Sequence, residues 1–311
     1  MKVLRKCTAF LTAALLLTGC GAAKTPDSES SSESAVQSVE KTLVTLGDSI
    51  SFGYGLDDVT TERYSALLKN QLESRDKITW NDYNYAVSGD NSSQLIHKLN
   101  NGRALHAPSA DVIILYIGAN NLLGAYGDYI IEKAEEKGID VSNPEKLTED
   151  DIADLQKQFE DEMQDTDAVI KAVQTKIDEN LDQLDTDLET IYQWIRERNQ
   201  DADVYVLNIY NPYSEGLSSD LVPADSDLAE YAQSQIDRAN TIIAKLTETH
   251  DDLIPVDVAA AFAACDPVPV FGDTNAESTD GDAMEYYDPH PNADGQRVIA
   301  DAVWEKMKDR A

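Results

Sequence analysis

Two parts of this chain, far apart in sequence, carry a hydroxyl and an imidazole in settings that suit chemistry. Gly47-Asp48-Ser49-Ile50-Ser51 follows directly on the apolar run Leu43-Val44-Thr45-Leu46. A strand that ends in a tight Gly turn presents a Ser hydroxyl at the C-terminal edge of a sheet, where open α/β sheets bind ligands. A hydroxyl is a weak nucleophile until a base takes its proton. Imidazole suits that task because it titrates near neutrality. Asp288-Pro289-His290-Pro291-Asn292 supplies one close to the end of the chain. Attack on an acyl carbon also needs donors for the oxyanion that forms. Ser88-Gly89-Asp90 and Gly118-Ala119-Asn120-Asn121 are turns of the type that provides them.

With those four blocks in this order, the chain resembles the SGNH/GDSL serine hydrolases from about Thr42 to its end. Ser49 matches the nucleophile of the first block, Gly89 the Gly of the second, Asn120 the Asn of the third and His290 the His of the last. The resemblance implies an oxyanion hole made of the backbone N–H groups of Ser49 and Gly89 and the side-chain amide of Asn120. It implies no cofactor. Two positions depart from the family pattern. The third block usually ends in Asp and here ends in Asn121, whose expected role is to order its loop. The triad Asp usually stands three residues before the His, and here that position is Tyr287. Asp288, two before the ring, is the candidate acid. Failing that, a backbone carbonyl or a carboxylate of the preceding loop, Asp282 or Glu285, would orient His290. Asp48 is expected to hydrogen-bond within its turn rather than exchange protons. There is no HExxH and no Cys/His cluster, so no metal site is expected.

The elements that must position these residues follow from patterning. Leu43–Leu46, Asp82–Val87, Val112–Ile117, Val204–Ile209 and Leu253–Val256 read as strands. Val112–Ile117 is apolar throughout, as a parallel strand covered on both faces requires. Helical patterns at Glu62–Leu72, Ser92–Leu99, Asp225–His250 and Asp294–Met307 alternate with them. That alternation implies βαβ crossovers and a parallel sheet. The expected class is α/β, a three-layer sandwich around a five-stranded parallel sheet. The resemblance adds a flavodoxin-like strand order, 2-1-3-4-5. A long acidic segment at about 128–200 interrupts the alternation. Ile170, Val173, Ile177, Leu181, Leu184, Leu188, Ile191 and Ile195 recur at three and four, which marks one helical stripe. Ile152, Leu155, Phe159 and Met163 suggest an earlier helix. The plain expectation is a helix or helical hairpin packed on the sheet, the alternatives a cap over the active-site edge or a partner-binding coil. Phe271–Tyr286, polar and rich in Asp and Gly, reads as a loop.

The front of the chain is a sorting signal in appearance. Lys2, Arg5 and Lys6 precede a short apolar core, Thr8–Leu17, and Leu17-Thr18-Gly19-Cys20 resembles the lipobox of bacterial lipoproteins. The expected division is a signal peptide at 1–19, a lipidated Cys20 and Ser-rich tether at 20–40, and a hydrolase domain at 41–311. A tether of that length reaches roughly 25 Å. Cys7 leaves with the signal, and Cys265 remains as a buried small residue, so no disulfide is expected. The formal net charge is -33, and losing Lys2, Arg5 and Lys6 takes it to -36. Such a charge speaks against nucleic acid, whose phosphates need clustered Lys and Arg. It also speaks against any membrane contact beyond the lipid anchor.

The expected function is a cofactor-independent serine esterase at the outer face of the cytoplasmic membrane of a bacterium. It would cleave O-acyl esters of a glycan, a lysophospholipid or a simple lipid through an acyl-enzyme. Transfer of the acyl group to an acceptor alcohol, or an inactive binding lipoprotein of the same fold, are the alternatives. His97, His106 and His250 have no motif and read as surface or packing residues.

Overall fold

The computed structural model describes residues 39–140, 148, 151, 154, 157, 166–213, 227–277 and 283–310. The signal, Cys20 and nearly all of the tether lie outside them. So do Ile152, Leu155, Phe159 and Met163 of the expected earlier helix.

In chain order the elements are β1 (Glu40–Gly47), α1 (Ser49–Phe52), α2 (Val59–Glu62), α3 (Tyr64–Asp76), β2 (Thr79–Asn84), α4 (Ser92–Asn100), β3 (Val112–Tyr116), α5 (Ala119–Glu136) and α6 (Thr166–Arg198). Then follow β4 (Asp203–Leu207), α7 (Asp227–Thr249), β5 (Leu253–Val256), α8 (Val258–Ala263), β6 (Val270–Glu277), β7 (Ala283–Pro291) and α9 (Ala293–Met307). The main sheet is parallel, in the order β2-β1-β3-β4-β5. This is the expected class and strand order. Strand order reverses between β1 and β3, so the crevice beyond their C-terminal ends is a switch point of the kind that holds ligands.

Period-two alternation divides the strand side chains between two cores. Val44, Leu46, Ile113, Leu115, Val204 and Val206 face α4, α6 and α7. Leu43, Val112, Ile114, Tyr116, Tyr205 and Leu207 face α3, α8 and α9. All five residues of β3 are buried, which explains its uninterrupted apolar run. The predicted stripe from Ile177 to Ile195 lies on α6 and belongs to the first core. The long acidic helix therefore packs on the sheet, as plainly expected. Leu184 is fully buried in that stripe, and shortening such a side chain to Ala costs about 2–5 kcal/mol. The polar faces of α6 form exposed ion pairs such as Lys176–Glu132 and Lys245–Asp185. Each contributes about 0–1 kcal/mol.

Three expectations are corrected. The predicted helix at Glu62–Leu72 is split, because Arg63 is extended (φ −64°, ψ 148°) and ends α2 before α3 begins. The second strand begins at Thr79, paired with Glu40, and its ladder stops before the predicted Tyr85–Val87. Tyr85 and Val87 nevertheless donate to the carbonyls of Thr45 and Gly47 (2.9 and 3.1 Å), so the chain still tracks β1 there. The expected loop at Phe271–Tyr286 instead holds, over its described residues, two paired antiparallel strands, β6 and β7. A two-stranded ribbon satisfies its backbone by cross-pairing, so a polar sequence does not prevent it.

Candidate active site

The first block builds a tight turn off the end of β1. Gly47 leaves no room for a side chain: a Cβ there would lie 2.4 Å from both Ser51 Oγ and the Tyr116 carbonyl. Asp48 caps α1, its Oδ1 accepting from the Ile50 N–H at 3.0 Å. Ser49 is the first residue of that helix, so its own N–H has no intrahelical acceptor. Two buried side chains fasten the helix from behind. Gln296 of α9 donates to the Ile50 carbonyl (3.0 Å) and accepts from the Tyr64 N–H (2.9 Å). Ser51 Oγ and the Tyr64 hydroxyl share a hydrogen bond at 2.8 Å.

The last block arrives on β7. Ser49 Oγ lies 2.8 Å from His290 Nε2, and His290 Nδ1 lies 2.6 Å from Asp288 Oδ1. The same Oδ1 accepts from the His290 backbone N–H at 3.0 Å. Residues two apart in a strand share a face, and the backbone bond then draws the carboxylate back onto the ring edge. That is how a carboxylate two residues before the His reaches it. The Tyr210 hydroxyl donates to the Pro289 carbonyl (2.7 Å), holding the segment between them. Tyr287, at the family's usual Asp position, instead donates to the Pro212 carbonyl (2.7 Å). Asp282 lies outside the described residues, as does the side chain of Glu285. The Tyr54 ring tilts against the imidazole, with centroids 4.7 Å apart.

The middle blocks meet beside this turn. Gly89 has φ +84°, a conformation that costs a side chain energy but not glycine. The Val87-to-Gly47 bond ties its loop to β1. Asn120, in the first turn of α5, donates from Nδ2 to the Asp90 carbonyl at 3.0 Å, one residue beyond Gly89. One amide hydrogen of Asn120 is thus engaged, and the other has no partner among the described residues. Asn121 orders the loop as expected: Oδ1 accepts from the Ser92 N–H (3.1 Å), and Nδ2 donates to Ser92 Oγ (2.9 Å).

Two carboxyls near the turn are perturbed. Burial pushes Asp48 up to about 7, and the nearby Asp90 adds to this while His290 opposes it. Its Oδ2 has no hydrogen-bond partner among the described residues. Burial also raises Asp90, against the pull of its ion pair with Lys98.

The remaining histidines stay away from the serine. His106 stacks on Tyr83 and bonds the Tyr85 hydroxyl. His250 stacks on Tyr192 and bonds Glu189, and His97 bonds Asn101. Cys265 is half-buried rather than buried, its thiol donating to the Ala261 carbonyl. Sequence reasoning missed Tyr54, Tyr210 and Gln296, and no local signal marks them.

The comparisons agree with this geometry. The profile of the GDSL-like Lipase/Acylhydrolase family matches residues 45–298. The chain is 20% identical over 297 residues to the uncharacterized protein YpmR of Bacillus subtilis (strain 168), covering 94% of this chain and 92% of that one. Among solved structures it is similar to an extracellular lipase of Streptomyces rimosus, with a TM-score of 0.53 and 19% identity over 84% of this chain and 99% of that one. It is also similar to a variant of an acetyl xylan esterase of Geobacillus stearothermophilus, with a TM-score of 0.51 and 15% identity over 86% and 93% of the two chains. At these identities the structures speak for the fold, and the family match spans most of the chain. The chain belongs to the GDSL-like lipase/acylhydrolase family and is a carboxylic ester hydrolase.

Proposed function

We propose that Ser49 is the nucleophile of a double-displacement ester hydrolysis. The hydrogen-bonded series Ser49 Oγ, His290, Asp288 carries this proposal. His290 takes the Ser49 proton as Oγ attacks the acyl carbon. Asp288 keeps the ring proton on Nδ1 and stabilises the imidazolium. The oxyanion is met by the N–H groups of Ser49 and Gly89 and the free amide hydrogen of Asn120. Collapse expels the alcohol, which receives the proton from His290 and leaves the acyl group on Ser49. Water then attacks the acyl-enzyme, giving its proton to His290, and the acid departs as Ser49 recovers its hydrogen.

The preferred substrate is an ester with an apolar acyl chain. Phe52, one helical turn beyond Ser49, is 42% exposed, and Leu123, one turn beyond Asn120, is 49% exposed. Side chains three apart share a helix face, so these two flank the nucleophile and the amide donor. Tyr54, 37% exposed, adds a third apolar surface over His290. Large side chains left open beside a polar site favour burial of a chain from the substrate. Lipidation of Cys20 and the tether behind it would hold the body at the outer face of the cytoplasmic membrane, within reach of lipid esters. The lipobox-like run Leu17–Cys20 supports this.

A series of p-nitrophenyl esters from acetate to palmitate, with glycerol or a sugar added as acceptor, tests the proposal. Rising kcat/KM from acetate to medium chains, with free acid as product, is expected. A preference for acetate over octanoate would refute the apolar-chain assignment. Acyl transfer to the acceptor in place of release would refute hydrolysis as the main reaction.

A further inference from the structure

The long acidic helix reaches into the loops that carry the expected oxyanion donors. Asp187 of α6 is buried. Its Oδ2 accepts from Ser92 Oγ at 2.7 Å and from Ser93 Oγ at 2.5 Å, and its Oδ1 accepts from Gln183 Nε2 at 2.7 Å. Ser92 is fully buried and Asn121 nearly so. A serine hydroxyl has a single proton and a carboxylate only accepts. The Ser92 proton therefore goes to Asp187, and Ser92 Oγ must be the acceptor for Asn121 Nδ2. The same amide group also donates to the Asn180 carbonyl of α6 at 3.2 Å. With its NH2 turned to Ser92 Oγ and to α6, Asn121 leaves Oδ1 for the Ser92 N–H.

A chain of donors thus runs from Asn121 through Ser92 to Asp187, and the carboxylate decides its direction. Asn120 precedes Asn121, and Gly89 lies three residues before Ser92. Two of the three expected oxyanion donors hang from this one cluster, and the bond from Asn120 Nδ2 to the Asp90 carbonyl closes the loop between them. At the position where the family pattern carries Asp, this chain has Asn121. Its carboxylate stands one hydroxyl further along, on the helix.

We propose that Asp187 is a positioning residue for the oxyanion hole. It sets the polarity of the Asn121–Ser92 chain and so holds Asn120 and Gly89 where the oxyanion develops. The α6 helix is then part of the catalytic framework as well as of the core. This rests on the hydrolytic role proposed above for Ser49, Gly89 and Asn120.

The test is a double-mutant cycle on the full chain, read by steady-state hydrolysis of a p-nitrophenyl ester. Asp187→Asn keeps the volume and removes the charge, and its oxygen stays towards the two serine hydroxyls, since an NH2 group there would face donors. The chain keeps its direction with a weaker acceptor, and the expected fall in kcat is roughly 3–10-fold, less than the ~10²–10³-fold of deleting a donor outright, with KM within about twofold. Asn121→Asp alone places two carboxylates around one hydroxyl and turns an acceptor to the Asn180 carbonyl, and a larger loss is expected. In the double variant Asp187→Asn/Asn121→Asp the direction at Ser92 reverses, while the Asn180 carbonyl still lacks its donor. Position 187 donates to Ser92 Oγ, whose proton goes to position 121, where the second carboxylate oxygen still accepts from the Ser92 N–H. A kcat above that of Asn121→Asp alone is expected, a coupling beyond what separate sites show. Losses that simply add in the double variant, or an Asp187→Asn variant with full kcat, would overturn the proposal. Ser49→Ala, run alongside, tests the underlying hydrolytic role by itself. Turnover that survives Ser49→Ala rejects that role. Turnover that Ser49→Ala abolishes, together with additive losses in the cycle, rejects only the positioning by Asp187.

Discussion

Replacing Asp288 by Asn isolates what its charge does, because the structure fixes which end of the new amide meets the ring. In the wild-type chain one atom, Oδ1, accepts both from the His290 backbone N–H (3.0 Å) and from His290 Nδ1 (2.6 Å). An amide at this position must keep an acceptor towards the backbone N–H, since an NH2 group there would face another donor. Its oxygen therefore also faces Nδ1, and the ring keeps its proton on that nitrogen. Nε2 stays free to take the Ser49 hydrogen. The substitution removes charge without changing the tautomer. A hydrogen bond to a charged group contributes about 1.5–3 kcal/mol, against about 0.5–1.5 for a neutral one. The difference, about 1–2 kcal/mol, corresponds to roughly 5–30-fold in rate. Where an amide forces the wrong tautomer in a serine protease triad, the loss is ~10⁴-fold. The expected result for Asp288→Asn is accordingly a 5–30-fold fall in kcat/KM, of the order ~10¹, far short of what Ser49→Ala or His290→Ala costs. Initial rates on a p-nitrophenyl ester measure it, with thermal denaturation to show that the fold is intact. A loss of ~10³-fold or more would show that the amide turns and that the backbone bond does not hold it. Unchanged activity would show that Asp288 does not orient the ring at all.

Asn120→Ala should lower kcat by ~10²–10³-fold with little change in KM, since the amide acts in the transition state; an unchanged kcat would reduce Asn120 to its bond with the Asp90 carbonyl. Asp48, raised to about 7 by burial, keeps its proton in the folded state over a pH range where the unfolded chain has lost it. Its contribution therefore favours folding in acid and is lost as pH rises from the ordinary carboxyl range through about 7, by at most ~4 kcal/mol. Asp48→Asn cannot ionise, so its melting temperature relative to wild type should climb across that range; a difference that is flat with pH would contradict this. Cys20→Ser should move the protein from the membrane fraction to the soluble one, and retention in the membrane would require another anchor.

The parallel sheet was readable because its strands are buried on both faces, and Val112–Ile117 and Val204–Ile209 announce that in composition alone. The stripe on α6 was readable for the matching reason: Ile177 to Ile195 bury one face of a helix at helical spacing. The catalytic blocks stood out because turns of such sharpness restrict residue type, as the space around Gly47 shows. What stayed hidden depends on contacts between distant segments. The β6–β7 ribbon is polar, and its pairing supplies no apolar period. Asp187 looks like any other acid on an acidic helix until Ser92 and Asn121 are folded against it. Tyr287 was visible as a departure, but its bond to the Pro212 carbonyl, 75 residues away, was not.

The most direct test of the central claim is to locate the covalent adduct. A fluorophosphonate reacts with a serine whose hydroxyl is deprotonated by a neighbouring base and whose phosphoryl oxygen finds an oxyanion hole. Intact-mass and peptide analysis of the labelled soluble body should find a single adduct, on the peptide that holds Ser49, and none after Ser49→Ala. An adduct on another residue, or labelling that persists in Ser49→Ala, would contradict the assignment of Ser49 as the nucleophile.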